Sequence, residues 1–317
     1  MKSYYSSGKL LLTGEYTVLD GAVALAVPTR YGQHLSVEAI EDPKLIWISK
    51  DENEAIWFEN EFEIKNNTIV RSTRNNSETS NRLFEILQAA LQLNPKLLNT
   101  NKGYKVTTLL EFPRNWGLGT SSTLINNIAL WVQVDPFTLL EMTFGGSGYD
   151  IACAQHTSAI TYQLIQNKEI YQDGRKSKKR LINPVVFNPK FKEHLYFVHL
   201  NKKQNSRDGI AQYKKNATHQ VETISEINNI TNKIITCNTL DDFNNLVEKH
   251  ELIISKIIKQ KPIKEELFSD FNGSIKSLGA WGGDYILATC KTNPKAYFKN
   301  KGFDTILSFD EMIVSDF

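Results

Sequence analysis

Pro113-Arg-Asn-Trp-Gly117-Leu-Gly119-Thr-Ser121-Ser122-Thr joins two glycines to a run of hydroxyls where a helix is expected to begin. Glycines let backbone come close to a ligand, and the N–H groups and dipole at a helix start favour a phosphate. A serine hydroxyl beside a polyphosphate can also ligate Mg2+. The same residues suit a capped helix after a tight turn, because Ser and Thr are good N-caps. Gly145-Gly146-Ser147-Gly148-Tyr149-Asp150 fixes a carboxylate just after a glycine turn, where it could accept a proton from a hydroxyl, although alone the segment reads more readily as a loop with an Asp cap. Ser277-Leu278-Gly279-Ala280-Trp281-Gly282-Gly283-Asp284 could wrap a phosphate or substrate in backbone N–H groups, or be a tight connection. Ser7-Gly8-Lys9 opens an early apolar run, and a lysine there is usually solvated.

The elements that must position these residues form an α+β pattern. Leu10-Leu11-Leu12 and Val23 to Val27 read as short strands, with Asp20-Gly21 between them as a tight-turn signal. His34 to Ala39 alternates, and Leu45 to Ile48 with Ala55 to Phe58 reads as a hairpin. From Thr79 the period becomes helical through Leu83, Ile86, Leu87, Ala90 and Leu91. Tyr104 to Phe112 returns to strand. Helices are expected through Leu124, Ile128 and Trp131, and from Pro136 to about Phe144. Further on, a strand is expected at Leu195 to Leu200, a long helix at Asp241 to Ile258, and a strand at Tyr285 to Cys290. A helix at Pro294 to Lys301 and a strand near Thr305 to Leu307 complete the pattern.

A chain of 317 residues is long for one core, so two domains are expected. Residues 167–215 carry 13 Lys+Arg against 4 Asp+Glu, and the Asp173-to-Arg180 part reads as an exposed hairpin tip or linker. The boundary is placed there, giving domains 1–170 and 180–317. Hydrophobic residues at 41% and charged residues at 23% exclude a disordered or fibrous chain. A net charge of +2 leaves no global field for nucleic acid or membrane. No apolar run approaches the ~20 residues of a membrane helix, and Gly8-Lys9 interrupts any signal-peptide core. Cys153, Cys237 and Cys290 lie far apart, which suits reduced thiols in a cytoplasm. There is no Gly-x4-Gly-Lys-Ser/Thr, no Gly-x-Gly-x-x-Gly, no His-Glu-x-x-His and no protein-kinase signature, so any nucleotide must be held another way.

Taken together and in order, these segments resemble the GHMP small-molecule kinases, the group of galactokinase, homoserine kinase, mevalonate kinase and phosphomevalonate kinase. Ser-Ser-Gly-Lys-Leu-Leu-Leu-Thr-Gly-Glu-Tyr (6 to 16) looks like the family's first motif, with Ser7 where Pro is usual. Pro113 to Thr123 looks like its phosphate loop, with Thr120 for the first Ser and Ser122 for Ala. Ser147 to Asp150 matches the segment of the catalytic Asp. Leu278 to Asp284 resembles the third motif, with Trp281 in place of a Gly. Glu15-Tyr16 and Ser-Gly-Tyr-Asp-Ile-Ala look most like the mevalonate and phosphomevalonate kinase branch, and Gly-Tyr-Asp-Ile-Ala (148 to 152) looks typical of one subgroup.

The resemblance implies a ribosomal-protein-S5-domain-2-like N-terminal domain with a left-handed βαβ crossover, and a ferredoxin-like C-terminal domain. It implies ATP and Mg2+, and transfer of the γ-phosphoryl to mevalonate or phosphomevalonate. Gly117, Leu118, Gly119, Thr120, Ser121 and Ser122 would bind the nucleotide, with Ser121 and Glu141 on the metal. Asp150 and Lys9 would be catalytic, the lysine keeping the carboxylate ionised. Glu15, Ser147, Gly148, Gly282, Gly283 and Asp284 would meet the substrate. Lys202, Lys203 and Arg207, after the Leu195-to-Leu200 strand, suit an anionic one. The expected partner is a small anionic molecule, without nucleic acid or membrane, and a homodimer is left open. Alternatives within the fold are diphosphomevalonate decarboxylase, a homoserine or sugar kinase, or a non-catalytic ligand-binding protein; Ser7, Thr120 and Trp281 would favour the last.

Overall fold

A computed structural model describes residues 1–71, 77–98, 102–170, 176–203, 206–216 and 221–314. Two compact units emerge, and both are discontinuous. One comprises Met1–Gly8, Tyr31–Arg114 and Leu118–Gln155; the other comprises Lys9–Arg30, Asn115–Gly117 and His156–Phe317. A single cut at 170–180 does not describe this division, because residues 9–30 and 115–117 belong with the C-terminal part. Part of the expected hairpin tip, 173–175, lies outside the described residues.

The first unit is a mixed sheet covered by helices. Its elements are β1 (Lys2–Leu11), β2 (Ala24–Ile40), β3 (Lys44–Lys50), β4 (Ile56–Lys65), β5 (Thr68–Val70), α1 (Glu78–Leu93), β6 (Gly103–Leu110), α2 (Thr120–Val132), α3 (Pro136–Thr143) and α4 (Tyr149–Ala154). The strand order is β5-β4-β3-β6-β2, with β3 parallel to β6 and the other pairs antiparallel. β3 and β4 form the expected hairpin. Leu45 and Trp47 on one strand, and Phe58, Phe62 and Ile64 on the other, point into the core while their neighbours face out. Leu83, Ile86, Leu87 and Ala90 of α1 close that core, and the Ser77 hydroxyl accepts from Ser80 N to cap the helix.

β1 and β2 run on into the second unit, where Ala24–Ala26 of β2 pair with β7 (Ile160–Ile170), itself paired with β8 (Lys176–Pro184). A separate antiparallel sheet follows. Its elements are β9 (Leu195–His199), α5 (Ser206–Asn216), α6 (Val221–Thr236), α7 (Leu240–Ile258), α8 (Ile263–Leu267), β10 (Ser274–Ser277), β11 (Tyr285–Thr289), α9 (Lys295–Asn300), β12 (Ile306–Ser308) and α10 (Phe309–Met312). The order β10-β11-β9-β12, reached through helices between β9 and β10 and between β11 and β12, is the split βαβ arrangement of a ferredoxin-like sheet.

Asp20-Gly21 is not the hairpin turn that its sequence suggests. Thr17–Asp20 form a short 3-10 turn, and Gly21 caps it at φ 93°. The cause lies just upstream, where Glu15, Tyr16, Thr17 and Val18 are all buried and draw the chain inward.

β10 carries the reason. Ile275 faces the apolar cluster of Phe268, Phe271 and Phe298, and alternation turns Lys276 to the opposite face, where it has no solvent exposure. Lys276 Nζ donates to Glu15 Oε1 and, at 2.9 Å, to Ser277 O. His250 and Glu251 on α7 complete the group. His250 Nε2 lies 3.3 Å from Glu15 Oε2, yet it accepts the Gly14 N–H at 2.9 Å, so its ring proton is on Nδ1 and the imidazole is neutral. Burial and the neighbouring Lys276 hold that imidazole well below its ordinary range. Burial also raises the Glu15 carboxyl against the pull of Lys276. Glu251 accepts from Ser277 N and from Ser277 Oγ at 2.7 Å, and burial pushes it up to about 7 despite Lys276.

Because the folded-state value of Glu251 lies above its ordinary 4.5, the stability it contributes is full below that pH and is lost as pH rises through about 7. His250 acts in the other direction, so the two must be separated. Relative to a Glu251→Gln variant, the wild type is expected to lose about 3 kcal/mol of unfolding free energy between about pH 4.5 and pH 7. Urea denaturation of both proteins across that range measures it; parallel curves would remove Glu251 from the account.

Candidate active site

Between β6 and α2 the chain makes the glycine turn that the sequence singles out. Gly117 sits at φ +70°, and a Cβ there would overlap the Asp284 carboxylate, so only glycine admits this approach. Lys9 Nζ donates to Gly117 O at 2.9 Å. His199 Nε2 contacts Asn115 O at 3.1 Å, and because His199 Nδ1 accepts from Asn201 N, Nε2 is the donor. The Trp116 ring meets Tyr285 edge-on at 5.8 Å. Asp284 itself has φ +54°; its N–H donates to Lys202 O at 2.7 Å and its carbonyl accepts from Leu200 N at 2.8 Å. Lys9, Gly117 and Asp284 are thus brought together within the second unit.

The continuation lies in the first unit. Leu118 is buried and Gly119, at φ +97°, occupies the cap position of α2, with no side chain capping the helix. Two of the hydroxyls turn inward. Ser122 Oγ donates to Gly119 O at 2.8 Å, and Thr123 Oγ1 donates to Gln33 Oε1 at 2.8 Å. Ser121 is exposed and Thr120 half-buried. The helix is fixed from beneath by buried polar groups: Ser6 Oγ donates to Asn127 Oδ1, Asn126 Nδ2 to Ser6 Oγ, and Asn127 Nδ2 to Gln33 O. The first-turn N–H groups of such a helix have no partner within it, and its dipole adds a partial positive charge there.

Both α3 and α4 pack against α2. Asp150 stands in the first turn of α4 after Gly148, whose φ is 92°, and its Oδ1 accepts from Ile151 N at 3.1 Å. Ser147 is buried, and Glu141 is half-buried on α3. Residues 120–122 thus lie on α2, and Glu141 and Asp150 on the two helices that pack against it.

Glu15 is 1% exposed and faces Lys276, not solvent. Trp281 does not occlude the glycine turn. Its indole is buried in the second unit's core among Tyr16, Ala22, Tyr213, Ile227, Ile254 and Ile258. Gly282 is half-buried and Gly283 buried in the same turn, while Lys202 and Lys203 are exposed; the Arg207 side chain lies outside the described residues.

Lys276, His250 and Glu251 escaped the sequence reading. A signal for two of them existed. His250 and Glu251 interrupt the apolar stripe Phe243, Val247, Ile254 and Ile258 of α7, and ionisable residues on a buried stripe are paired or functional.

No family model and no curated protein matches the chain. Solved structures match it over nearly its full length. Streptococcus pneumoniae phosphomevalonate kinase, in complex with phosphomevalonate and AMPPNP, has a TM-score of 0.69 at 14% identity, covering 97% of this chain and 100% of that one. Methanococcus jannaschii mevalonate kinase gives 0.67 at 15% identity, covering 96% of each. Lactococcus lactis galactokinase complexed with galactose gives 0.64 at 14%, covering 97% and 92%. The α+β chain described above has the fold of the GHMP kinases.

Proposed function

We propose that the chain is an ATP-dependent small-molecule kinase of the GHMP type, acting on mevalonate or phosphomevalonate. The observation that carries this reading is the glycine turn ahead of α2. Gly119 begins a helix with no side-chain cap, that helix packs against the helix of Asp150, and the preceding Gly117 is gripped by Lys9 and pressed on Asp284. A helix start without a side-chain cap, with left-handed glycines at 117 and 119, suits an anion such as a nucleotide phosphate.

Phosphoryl transfer needs positioning and charge neutralisation more than covalent chemistry. The amides of Gly117 to Ser122 would cradle the phosphates. Ser121, with Glu141 as second ligand, would hold Mg2+, which when bound offsets phosphate charge. Asp150 would orient the acceptor oxygen, and take its proton where that oxygen is a hydroxyl, as its bond to the γ-phosphorus forms and the bond to the bridging oxygen breaks, that oxygen leaving with ADP. Lys9, besides fixing Gly117, would keep cationic charge beside the turn. Trp281, buried in the core, gives no support to the alternative of a blocked, non-catalytic site.

ADP release at millimolar Mg-ATP, tested over mevalonate, phosphomevalonate, mevalonate diphosphate, homoserine and galactose, is expected with mevalonate or phosphomevalonate; release with none would sink the kinase reading. Asp150→Asn should lower turnover about a hundredfold or more while nucleotide affinity changes little. Near-normal turnover would remove Asp150 from the chemistry. Gly117→Ala places a methyl in the Asp284 carboxylate, and calorimetric titration with Mg-AMPPNP should show affinity weakened about tenfold or more.

A further inference from the structure

We propose that Lys276 is a positioning residue, whose pairing with Glu15 in the interior sets the backbone of the Gly279–Asp284 turn and, through it, the seat of Asp284 on Gly117. Its consequence for turnover rests on the kinase reading above; the geometry does not. The turn runs through left-handed backbone, freely at Gly279 (φ +63°) and Gly282 (+84°) but at a cost at the non-glycine Asp284 (+54°). Something must hold it. At its start, Lys276 Nζ binds Glu15 and Ser277 O, while Ser277 N and Oγ are held by Glu251. In its middle, Trp281 N donates to the Tyr16 hydroxyl at 3.2 Å. At its end, Asp284 N donates to Lys202 O.

The first two holds are one device. Tyr16 follows Glu15 directly and has φ 59°, ψ −46°, with Thr17 N donating to Glu15 O at 2.6 Å across a three-residue γ-turn. Such a turn is strained, and for a bulky residue it persists only where its surroundings over-determine it. Here the Glu15 carboxylate is pinned on one side by Lys276. The Tyr16 ring stacks on Tyr213 at 5.7 Å on the other, and a Cβ on Gly209 would overlap the Tyr16 hydroxyl. Without Lys276, Glu15 is a carboxylate out of water with no cation, and it must take up a proton or move. Either releases the γ-turn and carries the Tyr16 hydroxyl away from the Trp281 amide. Stability alone does not call for this pair, since apolar residues of similar volume commonly replace buried ion pairs without loss.

That last point supplies the test. Lys276→Met should lower the melting temperature, and Glu15→Leu/Lys276→Met should recover most of it. In both, hydrogen exchange of amides in 278–284 should quicken by about tenfold or more, because the turn is no longer held. With whichever acceptor the wild type uses, kcat of the double variant should stay down by about tenfold or more although its fold is restored. Tyr16→Phe, which deletes only the acceptor of the Trp281 amide, should quicken exchange in the same segment with the fold intact. A double variant that recovers stability, wild-type exchange and turnover together would reduce Lys276 to a structural filler. Wild-type exchange in Tyr16→Phe would overturn the route through Trp281, whether or not the other variants fold. If the wild type releases no ADP with any acceptor, the kinase reading falls, and the exchange measurements still decide the role of Lys276.

Discussion

Lys276 and Glu15 are both removed from water, and neither charge is tolerable there without the other. That constraint shapes the second unit. It fixes where β10 ends, because the lysine must reach a carboxylate contributed by a segment more than 250 residues earlier. It also determines what α7 presents: a neutral His250 that takes the Gly14 amide, and Glu251 that takes the Ser277 amide and hydroxyl. Two glycine-containing segments far apart in sequence, Gly14–Tyr16 and Ser277–Asp284, are thereby tied by charge and by the Tyr16 hydroxyl.

The first unit solves a different problem. A Ser or Thr at position 119 would accept from the first amides of α2 through its side chain. Gly119 avoids this, and the adjacent hydroxyls of Ser122 and Thr123 are spent on Gly119 O and Gln33. The helix then needs anchoring from its other side. Asn126 and Asn127 provide it, binding Ser6 and the Gln33 backbone within an otherwise apolar interior. These buried amides make sense as orientation of α2, since leucines would fill the same space with no hydrogen bonds to satisfy.

Elements governed by a single period were legible from sequence. The β3–β4 hairpin shows two-residue alternation and α1 a 3.6-residue stripe, so local burial alone places them. The glycine turns were legible for a related reason: glycine at a left-handed position is a local requirement. What failed was whatever depends on distant chain. Asp20-Gly21 carries good hairpin chemistry, but Glu15 and Tyr16 upstream are held by β10 and α5, and that pull overrides the turn preference. Ser-Ile-Lys-Ser is too short to show a period, and the covering α7 makes Lys276 interior. The discontinuous units are invisible to composition for the same reason, because residues 115–117 join the second unit through Lys9, His199 and Tyr285.

Trp281 illustrates how one departure from a glycine-rich pattern can be absorbed. Glycine at this position would give the turn more freedom, which suits a backbone that must mould itself to a ligand. An indole removes that freedom, and it is accommodated because its ring has a place to go. Tyr16, Tyr213 and the apolar sides of α6 and α7 enclose it, while its amide meets the Tyr16 hydroxyl. The turn thus becomes anchored at its centre as well as at its ends. Anchoring matters because Asp284 must hold a left-handed φ that aspartate does not prefer, directly against Gly117. A flexible turn would let Asp284 relax and the approach to Gly117 open. A turn nailed down by a buried tryptophan keeps the carboxylate where only a glycine can face it, so the substitution at 281 and the glycine at 117 are two sides of one geometric requirement.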